Sequence, residues 1–339
     1  MWQEKPVSSR ATRATPRMRW AALAALICTS GCHLLLGYED PDEQTKGPFA
    51  ASPGGGGADG SASGNPQGTG LPAGVGGSWG CDDVGQSAFA MPQPGAEPID
   101  DDFSDRQSTL DRWGARFFVE NEGGYEGDTP CKATLCPGEL HLQAGPPGAA
   151  GSYAWWHLPN GQSGPVIYQH VGGNFAFEAD VELAPTGLLT RAGAGIVVRN
   201  PDISNHFIYY SMAYEAGSRA NSPRTLARVR DPERGDSQQL GDPLLAATSR
   251  ARLLICRVGG WFYLFRRLAD DAGVVEFHGD YRASTWGFEN VNVLEVGLSA
   301  HWFESNGNAI DGIFRTVRFH TPPANYDECA KLLNDATGQ

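Results

Sequence analysis

The chain has 339 residues and a formal net charge of −13, with 26 Lys and Arg against 39 Asp and Glu. That balance excludes nucleic acid and anionic lipid surfaces as partners, because both demand clustered cations.

Residues 1–19 carry Lys5, Arg10, Arg13, Arg17 and Arg19 against Glu4, and the apolar run Trp20–Ile27 follows. The order of a charged region, an apolar region and the small-residue stretch Cys28-Thr-Ser-Gly-Cys32 is that of an export signal. The apolar run is too short for a bilayer span, which needs about 20 residues. Ser30-Gly31 directly before Cys32 resembles the lipobox of bacterial lipoproteins, with Thr29 where those boxes usually carry Leu. The resemblance implies that residues 1–31 are a signal peptide and that Cys32 is the lipidated first residue, holding an exported protein to the bacterial cell envelope. Several acyl chains are needed there, since one holds only marginally. Removing residues 1–31 takes away five basic and one acidic residue, which moves the net charge from −13 to −17.

Residues 32–97 read as a disordered Gly-, Ser- and Pro-rich tether with almost nothing to bury. From 98 to 322 the character changes to period-2 apolar runs bounded by Gly, Pro and Asn. In chain order the expected strands are Glu139–Leu142, Ala154–Leu158, Val166–Val171, Asn174–Leu183, Ala192–Arg199 and His206–Ala216. Leu226–Arg230, Arg252–Val258, Trp261–Arg267, Val274–Tyr281, Val293–Phe303 and Ile313–His320 follow. A dozen short strands predict one all-β sandwich. Gly259-Gly260 is expected to turn a tight hairpin with positive φ angles, and residues 323–339 form a tail with a turn or two of helix over Asp327–Leu333.

The cysteine spacing suggests a local Cys131–Cys136 bridge in a Gly- and Pro-flanked loop, and a Cys81–Cys329 bridge clipping the termini. Cys256, inside a strand-like run, reads as a buried thiol. Paired C-x-x-C spacing for zinc is absent.

Four elements resemble the concanavalin A-like lectin/glucanase superfamily, particularly its bacterial laminin-G-like modules. Asp101-Asp-Phe-Ser-Asp105 with Leu110–Trp113 is similar to their first strand, and Asn174–Val181 with Ala194–Arg199 to their central strand pair. Leu254–Arg257 with its Gly-Gly hairpin, and Ala309–Phe314, complete the likeness. It implies a jelly-roll β-sandwich that binds carbohydrate, cleaves it or acts in adhesion.

Glu178-Ala-Asp-Val-Glu182 places Glu178, Asp180 and Glu182 on one strand face. The spacing is similar to the catalytic strand of a glycoside hydrolase family in that superfamily, which implies Glu178 as nucleophile, Glu182 as acid/base and Asp180 between them. Residues i and i+4 on a strand stand about 13 Å apart, whereas retention needs carboxyl groups about 5–5.5 Å apart. The alternative is a solvated face. Trp261, Tyr263 and Phe265 share a face opposite Phe262 and Leu264, and would form either a sugar-stacking stripe or covered core. Tyr209, Tyr210, Tyr214, Trp286, Trp302 and the pair Trp155-Trp156 carry the same ambiguity. Asp101, Asp102 and Asp105, with Asp311 near the last strand, could supply oxygen ligands to calcium. His170, His206 and His301 read as strand-edge or core residues.

The expectation is therefore a monomeric, surface-anchored lipoprotein whose sandwich binds a carbohydrate or cell-surface glycan. Trp261 and Tyr263 would stack on sugar while Glu178, Asp180 and Arg199 hydrogen-bond to hydroxyls. A glycoside hydrolase using Glu178 and Glu182, and a protein-binding adhesion module, are the alternatives.

Overall fold

The computed structural model describes residues 80–119, 131–144, 163–184, 191–203, 206–214, 222–231, 233, 237–270, 274–303 and 310–334. The leader with Cys32, the tether up to residue 79 and the expected strand Ala154–Leu158 with Trp155 and Trp156 lie outside them. In chain order the elements begin with β1 (Asp82–Val84), α1 (Arg106–Arg112), β2 (Gly114–Val119), β3 (Lys132–Cys136) and β4 (Glu139–Ala144). The middle of the fold is β5 (Ser163–Gly172), β6 (Phe175–Ala184), β7 (Arg191–Arg199), β8 (Phe207–Tyr214), β9 (Arg224–Arg230), β10 (Gln238–Gln239) and β11 (Leu244–Leu245). It closes with β12 (Arg250–Val258), β13 (Trp261–Leu268), β14 (Glu276–Arg282), β15 (Val293–Phe303), β16 (Ile310–His320) and α2 (Tyr326–Leu332).

The strands form two antiparallel sheets stacked as a jelly-roll β-sandwich, as the sequence predicts. Sheet A runs β1-β3-β4-β16-β6-β12-β13-β14, and sheet B runs β10-β9-β8-β7-β15-β5-β2 with β11 beside β9. Alternation assigns the faces. Phe177, Ala179, Val181 and Leu183 of β6 are fully buried in the core, as are Ala192, Ala194, Ile196 and Val198 of β7 on the facing sheet. Each such large apolar side chain contributes roughly 1.5–3 kcal/mol when buried. The β12–β13 hairpin pairs Val258 with Trp261 across the two glycines. Only Gly259 takes the left-handed φ, at 57°, so one primed-turn position suffices where two were expected.

The segment expected as a first strand is mostly helical. Asp105 caps α1 by accepting from the Ser108 amide at 3.1 Å, which commits residues 106–112 to a helix. Before it, Phe103 is fully buried at a left-handed φ of 56°, a strained conformation for a bulky residue. Asp101 compensates. Its carboxylate accepts from the Phe103 amide (2.8 Å), Thr109 Oγ1 (2.8 Å) and Trp113 Nε1 (2.9 Å), and its backbone bridges Val317 of β16.

The disulfide expectations are corrected at every cysteine of the sandwich. Cys136 is bonded to Cys81, and Cys256 to Cys329. Residues 132–136 are an extended strand, so Cys131 and Cys136 stand roughly 16 Å apart by strand rise, beyond the reach of a disulfide, which needs Cα atoms within about 7 Å. Because β1 runs antiparallel to β3 with Asp82 opposite Leu135, Cys81 falls opposite Cys136. Cys256 points away from the core, since Ile255 points into it, and meets α2. The folded unit therefore exceeds the expected 98–322 span: β1 lies in the stretch assigned to tether, and α2 in the tail.

Replacing both Cys256 and Cys329 by Ala should lower stability by up to about 4 kcal/mol, the loop-closure value for a separation of 73 residues. Thermal unfolding followed by circular dichroism measures it. A midpoint unchanged from wild type would show that the bond constrains nothing.

Candidate functional site

The outer face of sheet A carries two zones that meet along β12. In the first, the three carboxylates of β6 line up as expected and each faces a cation from a neighbouring strand. Arg252 Nε donates to Glu178 Oε1 at 2.6 Å, and His320 Nε2 lies 2.9 Å from Glu178 Oε2. Arg250 grips Asp180 with two bonds of 2.9 and 2.6 Å, a bidentate geometry. Arg315 reaches Glu182 at 2.8 Å and Glu139 at 3.0 Å. Glu178 is 4% exposed, and burial alone would raise its pKa. The His320 hydrogen bond and the Arg252 charge outweigh that and hold it below the ordinary glutamate value. That shift is the opposite of what a glycosidase's general acid needs, and it is compatible with the nucleophile role that the spacing suggests for Glu178. This zone is an ion-pair ladder.

The second zone is aromatic. Trp261 and Tyr263 stack with ring centroids 6.4 Å apart and planes inclined by 15°. Tyr326, the first residue of α2, packs edge-on against Tyr263 at 5.3 Å and against Phe277 of β14 at 5.5 Å. Phe265 closes the group at 5.2 Å from Phe277 and is itself buried. The stripe thus has both expected fates. Its Phe265 end is covered, with Ala176, Leu254 and Cys256, by Cys329 and Leu333. Its other end stays accessible: Trp261 and Tyr263 are half-buried, while Phe277 and Tyr326 are 43% and 38% exposed. On β14, Arg282 lies directly opposite Trp261 and Asp280 opposite Tyr263. The Arg282 guanidinium sits 4.8 Å from the Trp261 ring centroid, in cation–π range. Burial, then the Asp280 charge and the neighbouring Tyr326, push the Tyr263 phenol up.

Sequence reasoning found Trp261 and Tyr263 but missed Tyr326, Phe277, Asp280 and Arg282. A bulge in the β13–β14 pairing between Leu264 and Phe265 puts Phe277, Asp280 and Arg282 on one face, where strict alternation separates 277 from 280. Cys329 was the available signal for the helix, once paired with Cys256.

Arg199 does not join this site. It lies on the outer face of sheet B, where its guanidinium binds Glu295, a fully buried carboxylate that also accepts from Arg116 Nη2 at 2.6 Å. His170 Nε2 stands 3.9 Å from the same carboxylate. Directly opposite Gly193, His301 is buried against the strand. A Cβ at Gly193 would come within 2.3 Å of the imidazole, so glycine makes its seat. Burial and the Arg228 charge keep that imidazole neutral. His206 is buried as well, its Nε2 2.6 Å from the Trp286 carbonyl, while Tyr209, Tyr210, Tyr214 and Trp286 are buried side chains. Glu295 is the one carboxylate among the described strand residues of this sheet.

The calcium grouping does not assemble. Asp101 spends its carboxylate on the three donors named above, and Asp102 accepts from the Ser104 amide and hydroxyl at 3.0 and 2.6 Å. Asp311 is six residues along β16 from Val317, the partner of Asp101, which is roughly 20 Å by strand rise. Among the described residues no group of three or more His, Cys, Asp or Glu could hold a metal ion.

No protein-family model and no curated protein matches the sequence. Solved structures resemble the fold at a distance. A functionally unknown protein from Saccharomyces cerevisiae superposes with a TM-score of 0.44 at 12% identity, covering 62% of this chain and 97% of that one. A xylan β-1,4-xylosidase from Bacillus halodurans gives 0.43 at 12% identity over 68% of this chain, which spans only 41% of the xylosidase. A glycoside hydrolase family protein from Mycobacterium thermorestibile gives 0.43 at 12% identity, covering 66% of this chain and all of that one. Likenesses this remote carry no argument about activity.

The ion-pair ladder makes a prediction of definite sign. Because the folded pKa of Glu178 is depressed from 4.5, its contribution is present above the unfolded value and is lost as pH falls through the folded one. Glu178→Gln should cost about 3 kcal/mol at neutral pH by stranding Arg252, and should flatten the decline in stability below about pH 4.5. Urea midpoints across that range test it. An acid slope identical to wild type would remove Glu178 from the titrating set.

Proposed function

We propose that the protein is an exported, lipid-anchored module that binds carbohydrate without cleaving it. The observation that carries this reading is the accessible stacked pair Trp261–Tyr263, extended by Tyr326 and flanked by polar side chains. Aromatic faces cover the C–H faces of sugar rings, and polar neighbours fix orientation through hydroxyls. The ion pairing supports binding over hydrolysis. Glu178, Asp180 and Glu182 are each engaged by a cation, so each carboxylate already has a structural partner on the sheet. Cys32, as lipid attachment point, and the Gly-rich segment behind it would present the sandwich away from a membrane. A protein-binding adhesion module is the second reading, and the exposed apolar groups Phe277, Tyr326 and Val274 favour it.

The test is migration of the whole oxidised chain through native gels cast with plant, microbial and host polysaccharides. Retardation without loss of polysaccharide is expected, and Trp261→Ala should weaken it at least roughly tenfold, or about 1.4 kcal/mol. Cleared polysaccharide would establish an enzyme instead, and unhindered migration in every gel would turn the search to protein partners. Cys32→Ser should release the exported protein from the membrane fraction; a variant still pelleting with membranes would overturn the anchor.

A further inference from the structure

We infer that Asp280 and Arg282 are the specificity-determining residues of the aromatic platform and that its ligand is an uncharged polysaccharide. This inference rests on the carbohydrate-binding reading and narrows it. Both residues occupy the outer side of β14, the edge strand of sheet A, directly across from the two stacked rings. Both are exposed, and among the described residues neither side chain makes a hydrogen bond or ion pair. That sets them apart from the carboxylates of the ladder on the same face. Glu178, Asp180 and Glu182 each have a cation within bonding distance. The unspent polar capacity beside the rings is therefore concentrated at these two positions.

Their chemistry fits a polyhydroxylated ring. An ionised carboxylate accepts only, and can take two neighbouring hydroxyls at once. The Arg282 guanidinium lies over the indole of Trp261, an arrangement that leaves the N–H donors around its rim available to oxygen acceptors. A hexose lying on Trp261 and Tyr263 would present its C–H face to the rings and its hydroxyl edge to this pair.

The charge argument selects the class. Asp280 and Arg282 cancel locally, so the platform offers hydrogen bonds without a net field. Beyond it the chain without its leader carries a net charge of −17, from the −13 of the whole sequence, which opposes a polyanion. A uronic acid or sulfate group placed beside Asp280 would also have to desolvate against a like charge.

The experiment compares wild type, Asp280→Asn, Arg282→Gln and Trp261→Ala in gels containing neutral polysaccharides or polyuronates and sulfated glycans. Wild type should be retained by a neutral polysaccharide only, equally at about 0.1 M and 1 M salt, across which the Debye length falls from about 10 to 3 Å. Asp280→Asn should weaken retention roughly tenfold or more and Arg282→Gln severalfold, because each loses charge-assisted hydrogen bonds. Thermal midpoints of both variants should match wild type, since the side chains are exposed. If Trp261→Ala abolishes retention while Asp280→Asn and Arg282→Gln leave it intact, the platform stands and the specificity assignment falls. Retention by polyanions, or retention lost at high salt, overturns the ligand class alone. Failure of wild type to bind any glycan overturns the underlying reading and this inference with it.

Discussion

A seven-residue helix has no stability of its own in water, yet α2 lies ordered across sheet A with Tyr326 set into the aromatic group. The Cys256–Cys329 bond is the constraint that makes this so. Local signals then refine the placement. Asn325 accepts from the Glu328 amide at 3.0 Å while Glu328 Oε2 accepts from the Ala324 amide at 2.8 Å, a reciprocal cap of the kind that starts helices. At the other end Arg267 donates to the Leu333 carbonyl at 3.2 Å, where a cation is favoured. With the helix in place, Leu254, Phe265 and Ala176 are covered and the rest of the stripe remains open. Without it, the outer face would present a continuous apolar strip on sheet A, the sort of surface that invites association.

The platform also depends on what happens inside the sandwich. β14 is an edge strand, and edge strands are held on one side only. Here buried groups anchor it from beneath. Arg266 of β13 donates to Glu276 Oε2 at 2.6 Å, to Thr225 Oγ1 at 3.0 Å and to the Leu244 and Leu245 carbonyls at 2.9 and 2.7 Å. One guanidinium thus joins both sheets and the start of β14. His278, inward at the bulge, stands 3.3 Å from the Leu240 carbonyl, and burial lowers its pKa to about 4, so it remains a neutral hydrogen-bonding residue near physiological pH. Every polar atom of Arg266 has work to do, which is what makes a buried guanidinium tolerable. Rigid support of this kind keeps a binding constellation in register.

Much of this was legible in the sequence because strand parity is local. The runs at 166–171, 174–183, 192–199 and 252–267 announce their inward faces residue by residue, and Phe262, Leu264, Leu253 and Ile255 are in the core as alternation requires. What was not legible was non-local or broke the period. β3 hides between Gly- and Pro-containing stretches, where two cysteines five apart suggest a loop. The bulge before Gly279 reverses parity along β14 without any marker in the apolar pattern. The Asp101 hub is assembled from residues whose hydrogen bonds, not their hydropathy, define it. The Cys81–Cys136 bond follows from strand register and the Cys256–Cys329 bond from the seat of a helix on the sheet, neither of which a spacing rule supplies.

The Glu-x-Asp-x-Glu strand illustrates why a motif needs its cross-strand neighbours before it means chemistry. Three carboxylates on one face repel, and a protein can settle that repulsion in two ways. It can leave the charges crowded and buried, so that one carboxyl retains its proton and serves as an acid. Or it can place a cation opposite each one. The second course is written at Arg250, Arg252 and Arg315, residues of other strands that lie 70 or more positions away from their partners in sequence. In strand register Arg252 stands across from Asp180 and Arg250 from Glu182, and each guanidinium leans diagonally to the carboxylate two residues earlier on β6. That diagonal reach is within the span of long side chains on neighbouring strands. The cations thereby bring Glu178 below its ordinary pKa despite its burial, and the same guanidinium contacts that tie the strands together keep that carboxylate ionised near neutral pH. Identical spacing on β6 with neutral residues on β12 would carry the opposite electrostatics.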